Sequence, residues 1–364
     1  MSSQCDKPTG GSAPLIAFVG PLPPPLGGFS AITAEVLKRI HRVAEVRRYD
    51  ATPRGARWRS AVSALCLMGL LLRGRPRALY VALSGGYRKL LDGAFIACAR
   101  AGRVPVYVHH HSFAYLDRRR WDARWVLRLS RGATHFVLCR RMADLLRRVY
   151  RIPESASQVL SNAAFVEACE GTSRARGVLT LGFLSNITRE KGVFTFINIV
   201  GAARARGMNV RGLIAGPVHA TIQAEFFAAL QQDMAIEYCG PVYAQAKREF
   251  FANVDLLLFP TQYVNEAEPV TIWEALASAV PVLAIARGCI AAQLDAGAGH
   301  AWPDRAAFES GALDWLRDCL ATPELLAAMR LRARAVHADR HREGLEALGA
   351  AVHMMTGRGA AHGR

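Results

Sequence analysis

The sequence predicts an α/β protein of two doubly wound, Rossmann-like domains that face a central cleft. Three observations carry that expectation. At 364 residues the chain exceeds what one compact core of ordinary size accommodates and suits two domains. Short strand-like runs alternate with apolar-periodic segments long enough for a helix, which predicts right-handed βαβ units on parallel sheets. Midway, "FVEACEGTSRARG" (165–177) is polar, glycine-bearing and without period, as a linker is.

In the first half the strand-like runs are "LIAFVG" (15–20), "ALYVAL" (78–83), "VPVYVHH" (104–110), "THFVL" (134–138) and "SQVL" (157–160), with helical segments such as "AITAEVLKRI" between them. The second half repeats the scheme with "GVLTLGFL" (177–184), "VRGLIAGP" (210–217), "AIEYCG" (235–240), "VDLLLFP" (254–260) and "VPVLAI" (280–285). The expected domains are 1–168 and 169–345, with 346–364 a C-terminal helix and tail returning to the N-terminal domain. Helices fill the chain after about residue 306, and the basic "TGRGAAHGR" is expected to fray.

Composition narrows the class. With 51% hydrophobic and 21% charged residues the chain is globular. Its longest apolar run, "AVSALCLMGLLL" (61–72), falls short of the roughly 18 residues of a membrane span. "MSSQCDKPTGGSAP" lacks the basic head and apolar stretch of a secretory signal, so a cytoplasmic location is expected. Eight cysteines (5, 66, 98, 139, 169, 239, 289, 319) form no Cys-x-x-Cys pair and read as small buried thiols in a reducing cytosol. The net charge of +17 is uneven: residues 1–170 hold 27 Lys and Arg against 11 Asp and Glu, whereas 171–364 hold 19 against 18. One half is therefore expected to face a polyanion or an anionic membrane.

Ligands of open α/β sheets sit beyond the carboxyl ends of the strands, so chemistry is sought just after each strand. After the first comes "GPLPPPLGGFS" (20–30), where Gly27 and Gly28 precede a helix and let backbone N–H groups approach an oxyanion. A plain Pro-Gly turn explains the stretch about as well, and neither dinucleotide nor P-loop fingerprints are present. After the third comes "VHHHSFAYL". Alternate side chains of an extended segment point to opposite faces, so at most two of His109, His110 and His111 share a direction. No partner motif for zinc exists. His111 is expected as a hydrogen-bond donor in the site, with His109 and His110 as packing or surface residues. The second domain opens with "LGFLSNITREKGVFTFI" (181–197), where Lys191 stands at a helix start and adds a point charge suited to a phosphate. A solvated loop lysine is the competing reading.

The most informative stretch, "TQYVNEAEPVTIWEALASAV" (261–280), follows the buried run "VDLLLFP". Glu266 falls in the loop, and Glu274, about two turns into a helix starting near Pro269, points along the same edge. Two carboxylates that accept from vicinal hydroxyls fit a ligand with two sugar rings, and free N–H groups at Val270 and Thr271 suit phosphates between them. Helix capping would explain Glu266 and Glu268 but not Glu274.

The ordered motifs "PPPLGGFS", "HHHSF", "GFLSNITREKG", "LIAGP", "IEYCGPV" and "ANVDLLLFPTQYVNEAEPVTIWEALASAVPVLA" resemble those of the retaining GT-B glycosyltransferases of family four. The resemblance spans about residues 14 to 350 and is strongest over 182–288. It implies the GT-B fold, with residues 1–168 binding the acceptor and 169–345 the nucleotide sugar, and with Glu266, His111 and Lys191 as catalytic residues: Glu266 on the donor sugar, His111 beside it, Lys191 on the diphosphate. Glu274 would hold the donor ribose, the Gly27 and Gly28 loop would approach the donor phosphates or the acceptor, and "CGPVY" (239–243), with Gly240 and Val242, would border the base. Asn186 occupies a position commonly held by an arginine beside the diphosphate. The usual Phe-Gly pair after the first glutamate is Ala267-Glu268-Pro269 here, and Ala279 replaces a usual glycine.

The implied activity is a hexosyltransferase-type transfer (EC 2.4), with retention, from a nucleotide-diphosphate sugar to a glycan or lipid-linked acceptor, in cell-surface polysaccharide or lipopolysaccharide synthesis. Front-face displacement needs cations and N–H dipoles on the leaving group more than an acid and base pair. No metal or other cofactor is expected, and no Asp-x-Asp triplet occurs. Segments 47–77 and 116–131 join arginine and tryptophan to apolar residues and read as peripheral docking on the anionic inner face of the cell membrane, against the alternative of core helices with solvated arginine ends. A sugar-nucleotide 2-epimerase-like isomerase is the first alternative function. A basic nucleic-acid-binding protein, the second, ranks low because no recognition module or spaced aromatic platform is present.

Overall fold

The computed structural model describes residues 13–25, 27–52, 57–169 and 177–357. Its first half runs β1 (Leu15–Gly20), α1 (Gly28–His41), β2 (Glu45–Asp50), α2 (Arg57–Leu72), β3 (Ala78–Leu83), α3 (Lys89–Ala101), β4 (Val106–His110), α4 (Ala114–Asp117), α5 (Trp121–Leu129), β5 (Thr134–Val137), α6 (Arg140–Tyr150) and β6 (Ser157–Val159). The second runs β7 (Leu179–Leu184), α7 (Val193–Ala205), β8 (Val210–Ala215), α8 (Gln223–Gln231), β9 (Ile236–Tyr238), α9 (Ala244–Ala252), β10 (Leu256–Phe259), α10 (Val270–Ala277), β11 (Val282–Ile285), α11 (Ile290–Gln293), β12 (Gly299–Trp302), α12 (Arg305–Ala321) and α13 (Pro323–Thr356).

The strands form two six-stranded sheets, ordered β2-β1-β3-β4-β5-β6 and β12-β11-β10-β7-β8-β9. β1 runs parallel to β2 and β3, and β7 parallel to β8 and β10. Winding reverses beside the first strand of each sheet, the doubly wound arrangement expected from the alternation of strands and helices. Two strands went unforeseen, β2 ("EVRRYD") and β12 ("GHAW"). Both are edge strands. β2 turns Glu45, Arg47 and Arg48 to solvent, and β12 is short and half-buried, so neither needs the apolar run that marks an interior strand.

By packing, the chain divides into two compact units, Met1–His109 with Asp122–His135 and Gly349–Arg364, and His110–Trp121 with Phe136–Leu348. In the first, Ile16 to Val19 and all of β3 are buried, with Phe18 stacked on Tyr80 at 4.7 Å. α2 buries Ala64, Leu67 and Leu71 and exposes Val62, Leu65 and Leu72. In the second, the apolar run of β10 serves both faces of its sheet. Leu256 and Leu258 pack with Phe183, Phe196 and Phe308, while Leu257 and Phe259 pack with Ile272, Trp273 and Leu276.

One expectation is overturned. Cys139 and Cys289 are not free thiols: a disulfide joins them across 150 residues of sequence. No spacing rule reveals such a pair, because the fold alone brings the α6 start beside the segment after β11. Residues 170–176 of the expected linker and the tail from 358 lie outside the described residues, as does the side chain of Trp58.

Candidate active site

The carboxyl ends of β7 and β10, neighbours in the second sheet, carry the two loops that build the site. Gly192 caps α7 at φ +87°, and a Cβ there would lie 2.3 Å from the Pro260 carbonyl oxygen. Glycine therefore lets the α7 start press against the β10 loop. That approach puts Lys191 Nζ 2.5 Å from Glu266 Oε2, which also accepts from Thr261 Oγ1 at 3.0 Å. The same ammonium lies 4.6 Å from the centre of the Tyr263 ring.

The loop bearing Glu266 is held from several sides. Ser112 Oγ donates to Asn265 Oδ1 at 3.0 Å, and Asn265 Nδ2 donates to the Tyr263 hydroxyl at 3.1 Å. Arg287, paired with Asp117 at 2.7 Å, donates to the Val264 carbonyl at 3.1 Å. Gly288, at φ +58°, leaves room for the Ala267 carbonyl, which accepts from the N–H of the disulfide-bonded Cys289 at 2.7 Å.

Glu274 is the fifth residue of α10, little more than one turn in rather than two, because the helix begins at Val270 behind Pro269. Its Oε1 lies 2.8 Å from Lys247 Nζ on α9. The N–H groups of Val270 and Thr271 at the helix start meet no acceptor among the described residues. Neither loop glutamate caps this helix. Glu268 turns away to accept from Ser161 Oγ at 2.8 Å and Asn162 N at 2.6 Å, and burial pushes its carboxyl up to about 7.

His109 and His110 are buried packing residues, bonded through Nδ1 to the hydroxyls of Tyr80 and Tyr115, both at 2.7 Å. Burial, with the neighbouring His110 charge, holds His111 down to about 3. It is a neutral imidazole at physiological pH. Asn186 is exposed, its side chain without a hydrogen bond among the described residues. The arginine of that loop, Arg189, is engaged with Glu225 and with the Phe194 ring. Gly240, at φ +74°, has open space where a Cβ would stand, while Val242 packs on the Trp273 side of the sheet. Gly27 is the N-cap of α1 and Gly28 its first residue, in the first unit, with open space at Gly27 too.

The structure thus joins Lys191 to Glu266 and sets Val270, Thr271 and Glu274 on one helix. Sequence reasoning gave no role to Lys247, although it follows "CGPVY" (239–243) by four residues, nor to Thr261, Tyr263 and Asn265. A lone lysine on an exposed helix carries no spacing signal. Ala279, where a glycine is usual, keeps φ at +57°.

Residues 178–318 match the family model described as Glycosyl transferases group 1. Over that span the chain carries the sequence pattern of the group 1 glycosyltransferases. Its fold is GT-B, as solved relatives show. Anabaena HepE in complex with UDP and glucose aligns with a TM-score of 0.67 at 14% identity, covering 93% of this chain and 98% of that one. A Rickettsia africae glycosyltransferase aligns at 0.66 and 11%, covering 94% and 98%. WaaG, a glycosyltransferase involved in lipopolysaccharide biosynthesis, aligns at 0.62 and 16%, covering 94% and 100%. No curated protein sequence matches the chain significantly. Among its described residues no helix is long and apolar enough to cross a membrane, and no group of three His, Cys, Asp or Glu side chains has the geometry to hold a metal ion.

Proposed function

We propose that this glycosyltransferase moves a sugar, with retention, from a nucleotide-diphosphate sugar to a glycan or lipid-linked acceptor in cell-surface polysaccharide or lipopolysaccharide assembly. The observation that carries the reading is a pair of carboxylates, Glu266 and Glu274, each beside a lysine ammonium and on either side of a helix start with free N–H groups. Such a group offers hydroxyl acceptors at both ends and anion donors between them, the pattern of a nucleotide sugar. The UDP and UDP-glucose complexes of HepE make UDP the nucleotide to test first.

In this reading the bond from the anomeric carbon to the diphosphate oxygen breaks, a bond to the acceptor oxygen forms on the same face, and the acceptor proton passes to the departing diphosphate. Lys191 and the N–H groups of Val270 and Thr271 stabilise that diphosphate. Glu266 fixes the sugar, Glu274 the ribose, and His111, being neutral, donates a hydrogen bond to the sugar without adding charge. Asn186 offers the diphosphate an amide rather than a cation, Gly240 and Val242 border the base, and Gly27 and Gly28 admit donor phosphates or acceptor. No metal takes part.

Exposed Trp121 and Trp125 among the arginines of 116–131, with Leu65 and Leu72 on α2, support peripheral docking on an anionic leaflet. Proton NMR of the anomeric signals during turnover of UDP-glucose tests the reaction. A new glycoside with the donor's anomeric configuration supports it. Inversion refutes retention, and an epimerised nucleotide sugar without acceptor supports the isomerase instead.

A further inference from the structure

The loop joining β3 to α3, residues 84–88 ("SGGYR"), holds polar groups that the donor site leaves unused. Lys89 is fully buried with its ammonium 2.8 Å from the equally buried Asp122 carboxylate. The same ammonium donates to the carbonyls of Gly85 at 3.3 Å and Gly86 at 2.9 Å. In a planar trans peptide the N–H points opposite to the preceding C=O. Drawing the Gly85 carbonyl inward therefore turns the Gly86 N–H outward, where it meets no acceptor among the described residues. A Cβ on Gly86 would touch nothing within 4 Å, so the space beside the loop is open.

Arg88 completes the arrangement. Its Nη1 donates to the Ala51 carbonyl at 2.8 Å, which anchors the guanidinium at the end of β2. Nε and Nη2 are buried and have no partner among the described residues. Nε and Nη2 form the side-on edge by which a guanidinium binds two oxygens of one anion in parallel. Leaving it unpartnered in a buried place is costly, and a ligand removes that cost. Asp92 is the nearby carboxylate. It accepts from Ser84 N at 3.2 Å, draws the Ser84 hydroxyl and attracts Arg88, yet it leaves both guanidinium nitrogens unbonded.

We propose that residues 84–88 form an oxyanion subsite in which the Arg88 edge and the Gly86 N–H hold a phosphate or carboxylate of the acceptor. It sits at the carboxyl end of a strand in the first unit, whereas Lys191, Glu266 and Glu274 belong to the second. Naming the acceptor as source rests on the glycosyl-transfer reading; the anion site itself rests on the loop.

Thermal unfolding of the full chain in phosphate, in glucuronate and in chloride of matched ionic strength, each with and without saturating UDP, tests this. At about 20 mM, phosphate or glucuronate should raise Tm by ~2 °C or more beyond chloride, additively with UDP, and the more effective of the two identifies the source. Arg88→Gln should lose the anion shift and keep the UDP shift. If that variant does not fold, Arg88→Lys, which keeps the charge but loses the side-on edge, should weaken anion binding several-fold. The subsite is overturned if neither oxyanion shifts the wild type, if the shift survives both substitutions, or if UDP abolishes it, which would place the anion in the donor site. An anion shift without any UDP shift keeps the subsite and counts against the donor reading.

Discussion

Two lysine–carboxylate pairs of similar length do different work. Lys89 and Asp122 meet at 2.8 Å with both side chains wholly buried, and the lysine also ties down two loop carbonyls. Lys191 and Glu266 meet at 2.5 Å where strands end, with side-chain exposures of 19% and 10%. The first pair has no route to a ligand and fixes the backbone around it. The second stays reachable, so an incoming diphosphate and sugar can share its charges. Reach, not distance, separates a structural pair from one that can act on a substrate.

Breaking each pair sharpens the contrast. Asp122→Ala strands a buried ammonium and should cost about 3–5 kcal/mol by urea unfolding, the largest effect expected. Glu266→Gln should leave Tm near that of the wild type and lower kcat by roughly 10²–10³, about 2.7–4 kcal/mol of transition-state stabilisation. A variant as active as the wild type would remove Glu266 from the site.

Glu268, two residues on, lies on the structural side of the same divide, and pH reports it. Its carboxyl is raised to about 7 by burial, so the folded chain keeps a proton that the unfolded chain releases. The stability it contributes is full below the ordinary carboxylate range and falls as pH rises toward 7. Urea unfolding from pH 4.5 to 7.5 should show that fall diminished in Glu268→Gln. His111 and His135, depressed to about 3 and 4, act oppositely on acidification but cancel in the difference between the two proteins. The smallest effect is expected at Ala279, whose φ of +57° suits glycine: Ala279→Gly should stabilise by about 0.5–1 kcal/mol.

The sequence was most legible where one physical pattern dominates. Interior strands such as "LLLF" must be apolar on both faces, and they were read correctly. β2, whose "EVRRYD" faces water at an edge, offered no such pattern. The Glu266 and Glu274 pair was visible because a second carboxylate inside an apolar helix defies capping. Their lysine partners differed: Lys191 stands at a loop and helix junction and drew notice, whereas Lys247 reaches Glu274 only through the packing of α9 on α10. The Cys139 and Cys289 disulfide and the Arg88 edge depend on long-range placement that no local spacing encodes.

The most direct test of the donor site is thermal unfolding of the wild type and of Glu274→Ala with UDP, GDP and ADP, each near a hundred times its dissociation constant. One nucleotide should stabilise the wild type by ~2.7 kcal/mol, a shift of a few degrees, and the variant should lose that response while melting normally without ligand. No shift with any nucleotide, or an equal shift in the variant, would contradict the assignment of Glu266 and Glu274 to a nucleotide sugar.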